Sequence, residues 1–218
     1  MGKLVFPPLA YSPDVPPLAN QAVPAAMVTV IRERGGYDLG LFARYGLAAL
    51  EEDIAEEAAR YAALPNGVFL RDVFHKVQLW GGEHGRYVYV QGTPFSWPDI
   101  APAYGALVEA CLQEGRPFGA LAEDARVFHE AMRGQGRRLG LSFITKHVHF
   151  WTGAVRGADA APIFDAVMAR GLGIAHSWRN LPEYWRGMAR EAALQGISIN
   201  ALERQLFECF RTTNRTQL

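Results

Sequence analysis

Apolar residues spaced three and four apart, cut into short runs by glycine and proline, constrain this chain more than any other feature. Over residues 38–64, Leu47, Leu50, Ile54, Ala58 and Tyr61 recur at that spacing, which predicts a helix with one buried stripe. Glu51, Glu52, Asp53, Glu56 and Glu57 fill its other side and read as a solvated acidic face. Pro65-Asn66-Gly67 is a turn, and a second buried helix is expected over 68–79, stopped by Trp80-Gly81-Gly82. Arg86-Tyr-Val-Tyr-Val-Gln91 alternates and predicts a short strand or extended segment; a lone strand makes no sheet. Further helices are expected over 103–113, entered at Ser96-Trp97-Pro98-Asp99, and over 119–132. A glycine-rich basic loop from Gly134 to Gly140 leads into a helix ending near Gly153. Helices over 165–172, 182–195 and 198–211 follow, the last with Asn200 and Glu203 at capping-box spacing. Eight or so helices with at most one minor strand segment define an all-α chain.

Six prolines between Pro7 and Pro24 (Pro7, Pro8, Pro13, Pro16, Pro17 and Pro24) fix φ and remove amide donors, so residues 1–26 should run as an extended arm, packed or partly mobile. The remainder shows no repeat or composition shift, which predicts a single domain over 1–218; 218 residues, half of them hydrophobic, suffice for a core. Prolines interrupt the amino terminus before a signal-peptide core could form, and no run approaches the ~18 apolar residues of a membrane span. Cys111 and Cys209 lie far apart without metal-type spacing, as expected of unpaired thiols in a reducing compartment. A soluble cytoplasmic monomer is expected.

Lys plus Arg and Asp plus Glu both number 22, so a nucleic-acid partner must be argued from local charge. Local charge exists. Between Ala131 and Ala158 stand Arg133, Arg137, Arg138, Lys146 and Arg156 with no acidic residue. Arginines beside a helix start suit a phosphate, and Arg137, Arg138, Gly140, Ser142 and Arg156 are the candidate phosphate contacts; a basic loop that answers acids elsewhere in the fold is the bland alternative.

Within that region Leu141-Ser-Phe-Ile-Thr-Lys146-His-Val-His-Phe150 puts one lysine on an apolar helix, and Asp165 opens another helix nineteen positions later. An amine and a carboxylate delivered by separate helices suit displacement at a sugar carbon, the amine attacking and the carboxylate steadying positive charge. Partial burial of Lys146 against Ser142, His149 and Phe150, its i−4, i+3 and i+4 neighbours, would raise its free-amine fraction. Asp165 doubles as an N-cap, which would hold the carboxylate rigidly. His147 and His149 lie two apart on a helix and diverge by about 200°, so no shared metal is expected; His147 reads as packed or superficial. Trp80, His149, Phe150 and Trp151 are the candidate lining of a base pocket.

Ser142-Phe-Ile-Thr-Lys146 with Pro162-Ile-Phe-Asp165 and the upstream Trp80-Gly81-Gly82 resembles the 8-oxoguanine DNA glycosylase-like branch of the helix-hairpin-helix DNA glycosylase superfamily. The resemblance centres on residues 134–172. It implies a two-lobed helical fold with a helix-hairpin-helix element, Lys146 as nucleophile and Asp165 as catalytic carboxylate. It also implies duplex DNA with a flipped-out base as partner and excision of a damaged base, 8-oxoguanine favoured, with AP lyase activity. The superfamily's hairpin reads Leu-Pro-Gly-x-Gly before its lysine, where this chain has Gly140-Leu-Ser-Phe-Ile144; Gly136, Gly140 and the Ser142 hydroxyl with Arg137 and Arg138 are the substitute clasp. No cysteine cluster follows Asp165, so no iron-sulfur centre or other cofactor is expected. A helix-hairpin-helix module that binds nucleic acid without cutting it is the competing expectation, and an all-α scaffold in which Lys146 is solvated is the third.

Overall fold

The computed structural model describes residues 4–14 and 21–215, with side chains to 212; Pro16 and Pro17 of the predicted arm lie outside them. Among the described residues there are ten α-helices and no strand. They are α1 (Ala25–Gly35), α2 (Gly46–Ala63), α3 (Gly67–Trp80), α4 (Tyr87–Val90), α5 (Trp97–Leu112), α6 (Phe118–Gly134), α7 (Leu141–Arg156), α8 (Ala166–Gly171), α9 (Leu181–Gln195) and α10 (Ile199–Arg215). The chain is all-α, as its periodicity dictates. None of these helices is long and apolar enough to cross a membrane.

Helix α7 is the centre of the architecture. It packs against α2, α3, α5 and α6, and Phe143, Ile144, Thr145, His147, Val148, Phe150, Trp151 and Thr152 are all buried. Leu50, Ile54, Ala58 and Tyr61 of α2, the stripe read from the sequence, are buried in the same core. That core is one continuous cluster reaching from Leu4 to Phe210. Its polar thread runs Gln78–His147–Tyr104–Trp151: His147 Nε2 lies 2.8 Å from Gln78 Nε2, His147 Nδ1 lies 2.8 Å from the Tyr104 hydroxyl, and Trp151 Nε1 donates to that hydroxyl at 2.8 Å. Buried polar groups demand partners, and here each ring finds one.

Several local expectations are corrected. The alternating segment after Arg86 is a single helical turn, because its buried side chains are satisfied without a neighbouring strand; the Tyr89 hydroxyl lies 2.7 Å from His75 Nδ1. Helix α1 was not foreseen. It follows directly on the proline-rich arm and buries Met27, Val28 and Ile31. The acidic face of α2 is only half solvated: Lys76, 5% exposed, pairs with Asp53 and with Glu57 at 2.6 Å, and Glu51 pairs with Arg204. The capping box at the start of α10 is absent, since Ser198 Oγ accepts from the Ala201 amide and Glu203 turns elsewhere. Within residues 4–14 the arm is mostly exposed but anchored: the Val5 amide donates to the Leu172 carbonyl, the Leu4 side chain occupies the space that a Cβ on Gly187 would need, and Ser12 bonds Gln205.

Two close approaches position the region around α7. A Cβ on Gly81 would stand 2.3 Å from the Phe143 ring, so the turn after α3 is wrapped on that ring. This gives the Trp80-Gly81-Gly82 element a packing reason. Gly92, at φ +81°, meets the Gly136 carbonyl so closely that a Cβ would overlap it, which docks the loop after α4 onto the loop between α6 and α7.

Candidate active site

Where α7 begins, a cavity of about 680 Å³ opens. Helix α7 lines it with Leu141, Ser142, Phe143 and Lys146, the preceding loop with Arg138, Leu139 and Gly140, and α8 with Asp165, Ala166 and Val167. Gly81, His84, Tyr87, Gln91 and His176 complete the wall. The extent is that of a small-molecule site, which typically occupies ~300–1,000 Å³. Among the described residues, Asp165 is the only carboxylate in a wall that also carries Arg138, Lys146, His84 and His176.

Lys146 and Asp165 therefore share one cavity. The lysine is half-buried, its Nζ 4.6 Å from the centre of the Phe143 ring, and it forms no ion pair among the described residues. Desolvation lowers its pKa, partly offset by the negative charges of Asp165 and Glu203. A lowered pKa enlarges the free-amine fraction near neutrality. Asp165 caps α8, Oδ1 accepting from the Met168 amide at 2.9 Å, with its own backbone extended.

The segment that delivers Asp165 has no backbone ladder and is held by side chains instead. The Ala161 amide donates to Thr152 Oγ1 at 2.9 Å, and the Ala161 carbonyl accepts from His149 Nδ1 at 3.1 Å. Trp185 Nε1 donates to the Pro162 carbonyl and the Tyr184 hydroxyl to the Ile163 carbonyl, both at 2.7 Å. The Ile163 amide donates to Glu203 Oε1 at 2.9 Å, and the Phe164 amide to Thr145 Oγ1 at 3.1 Å. His176 Nε2 donates to the Phe164 carbonyl at 3.0 Å and stands 3.3 Å from Ser142 Oγ. A carbonyl accepts only, so His149 carries its proton on Nδ1 and His176 on Nε2. Burial keeps His149 neutral by lowering its pKa.

Several predicted site residues stand elsewhere. Arg137 is 1% exposed; its guanidinium donates to the Pro94 carbonyl at 2.8 Å and lies over the Phe95 ring, so it fastens the 92–96 loop and cannot meet a phosphate. Arg156, ten residues and so ~15 Å along α7 from the lysine, lies over Phe118 and donates to the Arg116 carbonyl. Neither belongs to the cavity. Arg138, Gly140 and Ser142 do, and the basic surface shrinks accordingly. None of Trp80, His149, Phe150 and Trp151 lines the cavity. The cavity opens at the start of α7, and His149, Phe150 and Trp151, three to five positions beyond Lys146, lie ~5–8 Å further along the helix. His149 is turned to the Ala161 carbonyl, Phe150 and Trp80 pack edge to face, Trp80 Nε1 donates to Glu51, and Trp151 is fully buried.

Tyr87, Gln91 and His84 come from the segment mistaken for a strand and its preceding turn, and His176 from a loop without any motif. Glu203 shows itself in the sequence only as an apparent cap. Among the described residues no group of three or more His, Cys, Asp or Glu could hold a metal ion. Comparison with protein-family models, curated proteins and solved structures finds no match to this chain.

Proposed function

We propose that the protein is a DNA glycosylase with AP lyase activity, excising a damaged or modified base, 8-oxoguanine favoured. One observation carries this reading: an amine whose pKa is lowered by burial and a rigidly capped carboxylate share a cavity without an ion pair between them. The family resemblance around Lys146 and Asp165 supplies the reaction. A nucleotide turned out of the duplex would enter beside Phe143 and Tyr87, where ring contacts offset unstacking. Arg138 and the first amides of α7 meet the phosphates. As the glycosidic bond breaks, its electron pair leaves with the base, which takes up the proton that the Lys146 amine sheds on bonding to C1′. The Lys146 amine bonds to C1′ and Asp165 steadies the cationic sugar. Ring opening then gives a Schiff base, from which loss of the C2′ proton expels the 3′-phosphate.

Borohydride trapping on a panel of duplexes with single defined lesions tests the proposal. Wild type should become covalently attached to at least one lesion strand, and Lys146→Gln to none. Retention of DNA without trapping or base release would favour a non-catalytic binding module. Undiminished trapping by Lys146→Gln would remove Lys146 from the mechanism.

A further inference from the structure

Outside the cavity wall the fold buries a carboxyl group that the mechanism above does not use. Glu203 is 8% exposed, and its two oxygens are occupied differently. Oε1 accepts the Ile163 amide at 2.9 Å, two residues before Asp165, and Oε2 stands 3.8 Å from His149 Nδ1, which is already committed to Ala161. The side chain thus reaches from α10 to the segment that ends in Asp165, while its charge is felt by Lys146. We propose that Glu203 is the positioning residue of the lysine–aspartate pair, fixing where Asp165 stands through the Ile163 amide and, once ionised, adding a second negative charge that acts on the Lys146 amine. The inference rests on the reading of Lys146 and Asp165 as the working pair.

Thr145 and Tyr184 hold the neighbouring backbone groups, but among these three clamps only Glu203 carries a carboxyl that can gain a charge as pH rises above neutrality. The charged or titratable groups facing it are Lys146 and His149 from α7, Asp165 at the start of α8, Tyr184 from α9, Glu51 from α2 and Arg204 of its own helix. Burial, with Asp165 and Glu51, pushes the Glu203 carboxyl up to about 8, against the pull of the Ile163 amide and Arg204. Around neutral pH the carboxyl is therefore largely uncharged, which leaves the amine without a second anion. As pH rises and Glu203 ionises, it holds the proton on Lys146 more firmly.

Two variants separate the clamp from the charge. Glu203→Gln keeps an oxygen that can accept the Ile163 amide and removes the charge; Glu203→Ala removes both. The reporter is the pH midpoint of Lys146 acetylation by acetic anhydride, followed by peptide mass spectrometry on the full-length folded protein, which needs no DNA. In Glu203→Gln that midpoint should move to lower pH by at least about 0.5. The further change on adding Asp165→Asn should persist in Glu203→Gln and shrink to less than about half in Glu203→Ala, because Asp165 is no longer held near the amine. On lesion DNA, Glu203→Ala should trap about tenfold more slowly than Glu203→Gln. An unmoved midpoint in Glu203→Gln, or equal Asp165 coupling in the two variants, overturns the inference. Absence of trapping by wild type would instead sink the glycosylase reading, leaving the acetylation result to judge Glu203. If Glu203→Ala fails to fold, the Glu203→Gln midpoint alone decides.

Discussion

The Thr145 hydroxyl accepts the Phe164 amide at 3.1 Å, so the residue before the lysine is bonded to the residue before the aspartate. The same hydroxyl donates to the Ser142 carbonyl at 3.1 Å, which fixes its rotamer. This buried side chain is the direct link, among several clamps on the 161–164 segment, between the helix that carries Lys146 and the residue before Asp165.

Replacing Thr145 by Val preserves shape but strands the Phe164 amide, and a buried donor left unsatisfied costs ~1–3 kcal/mol. Chemical denaturation should show a loss of that size, and trapping by the folded variant should slow. Thr145→Ser, which keeps the hydroxyl, should stay close to wild type in both measurements.

Lys146→Met should raise thermal stability at pH 7. A lysine with a lowered pKa binds fewer protons folded than unfolded, so wild-type stability rises with pH between the folded value and 10.5. The variant lacks that dependence, so its advantage should be largest below the window and fade as pH approaches 10.5. Melting curves across pH 6–10 read this; each ~1 kcal/mol corresponds to roughly 2–4 °C in a chain of this size class. Curves that stay parallel at every pH would contradict the desolvated amine.

Asp165→Asn separates capping from chemistry. Asparagine caps as well as aspartate, so the melting temperature should hardly move, whereas base release should fall by ~10²-fold or more once the carboxylate is gone. Asp165→Ala should add a stability loss of ~0.5–2 kcal/mol through the lost cap.

The adjacent arginines should behave as opposites. Arg138, exposed on the cavity wall, should weaken DNA binding when changed to Ala and reduce the salt slope by about 1, with the fold intact. Arg137→Ala should unfold more easily, since its bond to the Pro94 carbonyl is a buried charged contact of the kind worth ~1.5–3 kcal/mol. Binding isotherms at several salt concentrations, with urea melts, distinguish the two.

Much of the site's outline was legible because it depends on helical periodicity. The apolar stripe around Lys146 forecast a buried helix, and the placement of Asp165 before Ala166 forecast a cap; both are properties of neighbours within one or two turns. The pocket wall was not legible. His149, Phe150 and Trp151 share α7 with the wall residues Leu141, Ser142, Phe143 and Lys146, but only the packing of the whole fold decides that the start of α7 faces the cavity, and Trp80 lies on α3, which contributes no wall residue. Arg137 and Arg138 are likewise indistinguishable as letters, and only the docking of the 92–96 loop buries one and leaves the other in solvent.

By itself, then, the amino-acid order determined an all-helical chain, its main breaks, and the helix-borne lysine and capping aspartate, since each is decided by contacts a few residues apart. Only the tertiary structure decided that the amine and the carboxylate share a cavity, and that Glu203, Thr145 and Tyr184 grip the segment between their helices. Those contacts join residues that are distant along the chain, and no local spacing encodes which distant side chain will reach a given backbone amide.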